Sequence, residues 1–323
     1  VTSKHEGYQA MTRAFVFPGQ GSQAVGMGKA LSEAFPAAKE VFQEVDDALG
    51  QNLSKMMFEG PMEDLTLTEN TQPALMAASV AVMRVLQSEG GVEIADKAKF
   101  IAGHSLGEYS ALAAASALDL ADTARLLKLR GQAMQTAVPA GEGAMAALLG
   151  LELEPALEAA AEAAEGDVCE VANDNAPGQV VVSGAKAAVE RAIDIAKGKG
   201  ARRAILLPVS APFHCSLLQP AADAMAKAFE TTTMAAPAAP LMSNVTAAPV
   251  AAPDDIKSLL VQQVTATVRW RECVLAMRAA GVEELVEIGC GKVLSGMVKR
   301  IDKEMTARNA ETPADIEALL AAL

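Results

Sequence analysis

The sequence predicts an α/β protein: a parallel sheet covered by helices, interrupted by an inserted β-α-β-β-α-β unit. Two observations carry this. Short apolar runs of strand length alternate with longer runs of helical period from Met11 onward, the pattern of a parallel sheet with crossover helices. The rhythm then changes between Gly143 and Val209, where two strands follow one another with only a short loop between them. With 323 residues, 51% of them apolar, the chain has enough material for one large core or two.

In chain order, "AFVF" reads as the first strand, followed by helices through residue 50. A helix over "QPALMAASVAVMRVLQ" is expected to begin at Pro73, a first-turn proline capped by Asn70 or Thr71. "KFIAG" is a buried strand, and "LGEYSALAAASAL" is the helix after it. The changed region reads as strand "AMAALLG", an alanine and glutamate helix, strand "VCEVAN", loop "DNAPG", strand "QVVVSG", a helix from Ala185 and strand "RRAILLPV". That order describes a ferredoxin-like unit. Beyond it, "PLMSNVT" and "EELVEIG" return to sheet-type strands, with helices around Cys273 and after Lys292. The expected division is a leader at 1–10, a discontinuous large subdomain at 11–138 and 210–323, and an inserted small one at 139–209.

No apolar run approaches the roughly 20 residues of a membrane-spanning helix. Residues 1–10, "VTSKHEGYQA", lack the apolar stretch of a signal peptide and precede Met11, so they are set aside as a leader. Cys169, Cys215, Cys273 and Cys290 form no C-x-x-C pair, which argues against a zinc site or a disulfide framework and for a reducing, cytoplasmic setting. The net charge of −13 argues against non-specific nucleic-acid binding. Lys197, Lys199, Arg202 and Arg203 form a local basic cluster, either a solvated helix end or a docking patch for an acidic partner.

Gly103, Ser105 and Gly107 form G-x-S-x-G, a pattern that chance alone produces in about one chain of this length in ten. Its context is more specific: a buried strand precedes it and a helix follows, placing Ser105 on a strand-to-helix corner where a nucleophile is exposed and a helix start favours negative charge. The alternative is a turn serine. Of the three histidines, His5 lies in the leader and His104 adjoins the serine, where consecutive side chains diverge; His214 in "SAPFHC" remains as the base. Cys215 beside it reads as a small buried residue rather than a thiol nucleophile.

On a helical wheel over residues 120–138, Arg130 falls on the apolar arc with Leu120, Leu127 and Met134, whereas Arg125, Lys128 and Gln132 lie opposite. A buried guanidinium needs a partner, either a carboxylate from elsewhere in the fold or one on a substrate. In "FVFPGQGSQAVGMG", Gly19, Gly21 and Ala24 fit a dinucleotide fingerprint. The acidic strand end it requires is missing, since Glu40 and Glu44 lie in a helical pattern. The loop instead places Gln20 beside the serine as an oxyanion donor.

Together, "FPGQGSQ", "TQPAL", "GHSLGEYSAL", "KLRGQAM", "NAPGQVVVSG", "SAPFHC" and "EIGCGKVLSGMVKRI" resemble the malonyl-CoA:acyl carrier protein transacylase family, which includes acyltransferase domains of polyketide synthases. The resemblance covers nearly everything from Met11 onward. It implies an α/β-hydrolase-like large subdomain with a ferredoxin-like insert. It also implies acylation of Ser105, His214 as general base, Arg130 on the malonyl carboxylate, backbone N–H groups of Gln20 and Leu106 as oxyanion hole, and the carbonyl of Gln263 orienting the histidine. Phe213 resembles malonyl-selective members and would crowd a 2-methyl branch. Cys290 stands where such proteins commonly carry proline, a change expected to affect only a turn.

The implied reaction is ping-pong transfer of malonyl from malonyl-CoA to the phosphopantetheine thiol of acyl carrier protein, by a monomer without cofactor or metal and without a nucleic-acid or membrane partner. The four basic residues are the candidate docking patch for the acidic carrier. Competing expectations are a serine esterase or thioesterase with the same elbow, an acyltransferase of polyketide synthesis, and a nucleotide-binding or non-catalytic carrier-binding module.

Overall fold

The computed structural model describes residues 11–323; residues 1–10, on which the expected leader and His5 fall, lie outside the described residues. Ten strands run β1 (Arg13–Phe17), β2 (Phe100–Gly103), β3 (Gly143–Leu149), β4 (Cys169–Ala176), β5 (Gln179–Ala185), β6 (Arg203–Leu206), β7 (Leu241–Met242), β8 (Pro249–Val250), β9 (Glu284–Ile288) and β10 (Thr306–Ala310). The helices that bear on the site are α1 (Pro36–Leu49), α2 (Thr68–Gly90), α3 (Gly107–Ala114), α4 (Leu120–Ala137), α5 (Leu153–Ala164), α6 (Lys186–Gly198), α7 (Pro253–Gln263) and α8 (Trp270–Ala279).

The larger sheet has the order β10-β9-β1-β2-β7-β8, parallel except for the edge strand β8. Its central strand β1 is apolar on both faces, because Phe15 and Phe17 pack into one core and Ala14 and Val16 into the other. The four-stranded sheet, order β4-β5-β3-β6, is antiparallel throughout. Helices α5 and α6 cover one face of it through alanines at helical spacing, among them Ala156, Ala160, Ala188 and Ala192. Side chains so small let helix and sheet approach closely. The other face turns Met145, Ala172 and Val181 toward the main core.

Helix α2 is buried nearly all round, as expected of a helix without a polar face. Its start differs from the sequence expectation. It begins at Thr68, so Pro73 lies inside the helix rather than in its first turn. Asn70 and Thr71 are not caps: Asn70 Nδ2 donates to the Asp64 carbonyl at 2.9 Å and Thr71 Oγ1 to that of Leu65 at 2.5 Å, tying the helix to the segment before it. The expected loop "DNAPG" differs too, since β4 continues to Ala176 through two register shifts. Glu40 and Glu44 lie in α1 and not at a strand end. Among the described residues, no helix is long and apolar enough to cross a membrane.

Candidate active site

The site forms at the carboxyl ends of the parallel strands, where ligands of open α/β sheets bind. Strands β1 and β2 pair in register through Phe17 and Gly103, so the loops leaving them run side by side. That juxtaposition brings Gln20 to Ser105. The elbow glycines are required by contact: a Cβ on Gly103 would lie 2.0 Å from the Gly107 carbonyl carbon, and one on Gly107 would lie 2.2 Å from the Phe17 oxygen.

Ser105 has φ 52° and His214 φ 57°, so the two side chains that meet here both stand on left-handed backbone. Such strain concentrates at functional sites and needs surrounding structure to hold it. Ser105 Oγ lies 2.8 Å from His214 Nε2, and His214 Nδ1 lies 2.8 Å from the Gln263 carbonyl. A carbonyl only accepts, so Nδ1 carries the proton and Nε2 offers a lone pair. Arg130 Nη2 donates to Ser105 Oγ at 3.0 Å, and because the unprotonated Nε2 can only accept, the serine points its own hydrogen at His214. His214 is 5% exposed; burial first and the Arg130 charge second push its pKa down to about 3, against the pull of the Gln263 carbonyl. The imidazole is therefore neutral at pH 7.

Arg130 is 1% exposed, as the wheel predicts. Helix α4 comes close to the start of α2 because residue 131 is glycine; a Cβ there would lie 2.5 Å from Glu69 Cα. Across this contact Nη1 donates to Gln72 Oε1 at 2.7 Å, while Nη2 also donates to Gln263 Oε1 at 2.8 Å. Nε has no partner, and the Tyr109 ring centroid lies 5.4 Å from the guanidinium carbon. Every direct partner of the guanidinium is thus neutral. Burial lowers its pKa, opposed by Tyr109 and Glu108.

Ser105, His214, Arg130, Gln20, Leu106 and Phe213 line one cleft of about 130 Å³. Among the described residues, the backbone N–H groups of Gln20 and Leu106 donate to no protein acceptor. The next two N–H groups are not free, because Gly107 donates to the His104 carbonyl and Glu108 to that of Ser105. The helix start therefore offers the serine one backbone donor, that of Leu106. The Gln20 side chain is held from behind, its Oε1 accepting from Thr68 Oγ1 at 2.9 Å.

His104 also lines the cleft, with Nε2 2.8 Å from Asn175 Oδ1, so it belongs to the site although it does not reach the serine hydroxyl. Cys290 does more than occupy a turn: its thiol donates to the Ser22 carbonyl at 2.9 Å, supporting the loop that bears Gln20. Burial pushes the Cys215 thiol up to about 11, unfit for a nucleophile. The basic cluster lies away from the cleft lining, on the small sheet and the end of α6. Lys197 pairs with Asp194, and Lys199 with Glu158 and Glu162, which leaves Arg202 and Arg203 as its unpaired members among the described residues. No three His, Cys, Asp or Glu side chains among the described residues are grouped to hold a metal ion.

Two residues that sequence reasoning missed complete the surroundings. Asn244, just after β7, accepts the Ser105 N–H at 2.9 Å and donates to the Gly103 carbonyl at 2.8 Å. Glu108, 1% exposed, accepts from the Asn244 N–H and the Gln263 side chain.

A parallel sheet that sets a strand-to-helix serine beside a neutral histidine and a buried arginine is an arrangement suited to acyl transfer, and acyltransferase is the class it points to. The model of the acyl transferase domain matches residues 14–314, and the chain belongs to that family. It is 48% identical over 307 residues to malonyl CoA-acyl carrier protein transacylase of Escherichia coli K12, covering 95% of this chain and 98% of that one. The Bacillus subtilis 168 protein of the same name is 45% identical, with 94% and 95% covered. Among solved structures, an acyl-carrier-protein-S-malonyltransferase from Bartonella henselae is 56% identical with a TM-score of 0.94, covering 96% of this chain and 99% of that one. A malonyl-transacylase in complex with its type II PKS acyl-carrier protein is 44% identical with a TM-score of 0.93, covering 97% and 100%.

Proposed function

We propose that the chain transfers malonyl from malonyl-CoA to the phosphopantetheine thiol of an acyl carrier protein, serving fatty acid synthesis through a malonyl-Ser105 intermediate. The observation that carries this reading is the position of Arg130: a buried cation 3.0 Å from the nucleophilic hydroxyl, all of whose direct partners are neutral. Such a cation selects an acyl group with a free carboxylate. The names of the relatives agree with it.

His214 takes the Ser105 proton as the hydroxyl attacks the thioester carbonyl, and the backbone N–H groups of Gln20 and Leu106 receive the oxyanion. Imidazolium then protonates the departing CoA thiolate. In the second half the carrier thiol gives its proton to His214 and attacks the acyl-serine, and the returning proton regenerates the serine. The Gln263 carbonyl orients the imidazole in place of an acid. Every group needed belongs to the chain or the two substrates, so the mechanism invokes no metal or cofactor.

Phe213 forms one wall of the acyl pocket, and excluding a 2-methyl branch by such a wall is worth about 1–3 kcal/mol. The supporting architecture is an α/β-hydrolase-like subdomain at 11–138 and 210–323, with a ferredoxin-like one at 139–209; the antiparallel order β4-β5-β3-β6 supports that assignment. Carrier docking falls to Arg202 and Arg203, the members of the basic cluster free of ion pairs among the described residues. We assign a monomer working in the cytoplasm.

Intact-mass spectrometry after mixing with malonyl-, methylmalonyl- or acetyl-CoA tests the reading. A malonyl adduct that is lost in Ser105→Ala is expected, with less methylmalonyl and acetyl. A malonyl adduct that survives Ser105→Ala overturns it.

A further inference from the structure

Glu108 lies in the first turn of α3, three residues past the serine, in a helix whose side chains are buried on every side. A carboxyl in such a place is costly unless both oxygens are used. They are: the Asn244 N–H donates to Oε1 at 2.6 Å and Gln263 Nε2 donates to Oε2 at 2.5 Å. These two donors belong to the residues that hold the reacting groups. Asn244 pins the elbow through the Ser105 N–H and the Gly103 carbonyl. Gln263, the last residue of α7, accepts from Arg130 on Oε1 at 2.8 Å, donates Nε2–H to the Ser105 carbonyl at 3.1 Å and accepts from His214 on its backbone carbonyl.

The direction of each bond is forced. Arg130 has only donors, so Gln263 must turn Oε1 toward it and Nε2 toward Glu108. The Asn244 backbone N–H donates too. Both Glu108 oxygens are therefore acceptors, the pattern of a carboxylate. Among the described residues Glu108 has no direct ion pair, and the amide of Gln263 bridges it to the guanidinium. Burial pushes this carboxyl up to about 8, against the Asn244 N–H, Arg130 and Gln263, so the ionised form rests on the two donors that face its oxygens and on the guanidinium behind Gln263.

We propose that Glu108 is the positioning residue of the site, its carboxylate balancing Arg130 inside the core and, through Asn244 and Gln263, setting Ser105, His214 and Arg130 in register. The proposal rests on the serine and histidine roles given above. It differs from a packing role because Glu108→Gln preserves volume and changes only charge and one acceptor. The variant sets an N–H₂ against one of two N–H donors and removes the counter-charge.

The test measures two labelling rates of Ser105 in the full chain: acylation by malonyl-CoA, and reaction with an alkyl fluorophosphonate that carries no carboxylate. In Glu108→Gln both rates fall by about 10- to 100-fold, the size of effect that follows loss of the residues orienting metal ligands, with the melting temperature within about 5 °C of wild type. Wild-type rates in the folded variant overturn the proposal. If Glu108→Gln does not fold, Glu108→Asp, which keeps the charge but withdraws it by one methylene, decides the matter: at least a fivefold fall in both rates is expected, and unchanged rates overturn it. A wild-type chain that reacts with neither reagent refutes the serine reading itself, whereas equal labelling of wild type and variant refutes only the role of Glu108.

Discussion

Removing the Arg130 guanidinium should erase most of the preference for malonyl over acetyl thioesters. In the free chain Nη1 is held by Gln72 Oε1 at 2.7 Å, and Nη2 by Gln263 Oε1 at 2.8 Å and Ser105 Oγ at 3.0 Å, with Nε unused. A carboxylate gripped by two charge-assisted hydrogen bonds gains about 3–6 kcal/mol, at about 1.5–3 each. Releasing the serine hydroxyl for attack gives back part of this, leaving about 2–4 kcal/mol, or about 30- to 1,000-fold in selectivity. Arg130→Ala should therefore lower kcat/KM for malonyl-CoA relative to acetyl-CoA by that factor. Arg130→Lys, a point charge without a fork, should lose about tenfold. Quenched-flow acylation by each thioester gives both constants, after melting curves establish that the variants fold, because Gln72 and Gln263 each lose a buried donor. A malonyl-to-acetyl ratio equal to that of wild type in Arg130→Ala would refute the assignment of the carboxylate to this cation.

The remaining expectations concern protons and docking. Because burial and Arg130 hold His214 down at about 3, the fluorophosphonate rate of the free chain should stay flat from pH 8 to about 5. A half-maximal rate near pH 6.5 would show an ordinary histidine instead. The same shift has a consequence for stability: between pH 6.5 and about 3 the unfolded chain binds a proton at His214 that the native state refuses, so this residue removes stability as pH falls across that window. Denaturant titrations at pH 6.5 and 4 should accordingly show a smaller loss for His214→Asn than for wild type. Reversing Arg202 and Arg203 to glutamate should raise the apparent KM for carrier protein several-fold and leave self-acylation by malonyl-CoA unchanged; equal carrier kinetics would remove these arginines from the interface.

What could be read from the sequence was local. The elbow declares itself because Gly103 and Gly107 flank a serine between an apolar run and a helix, and the structure places backbone against both glycines. Arg130 stood out as a charge on an otherwise apolar arc, a conflict that only burial with partners resolves. The small sheet was legible strand by strand, each run having its own turn signal. What stayed hidden depends on partners distant in sequence. Nothing near Asn70 or Thr71 shows that they bond backward to Asp64 and Leu65 instead of capping α2. The pairing that carries β4 through "DNA" is likewise set by β5 rather than by local preference. Glu108 carried a readable signal, an acid inside "GEYSALAA" where no helical face is polar, but its purpose appears only with Asn244 and Gln263, well over 100 residues away.

Because the account holds that Ser105 hands its acyl group to a thiol, chasing the isolated malonyl-chain adduct with carrier protein tests it most directly. Adduct formed with malonyl-CoA, freed of excess donor and followed by mass spectrometry, should persist in buffer and pass its malonyl to phosphopantetheine-bearing carrier on mixing. Release of free malonate into buffer as fast as the carrier removes it would make the protein a hydrolase and contradict the account.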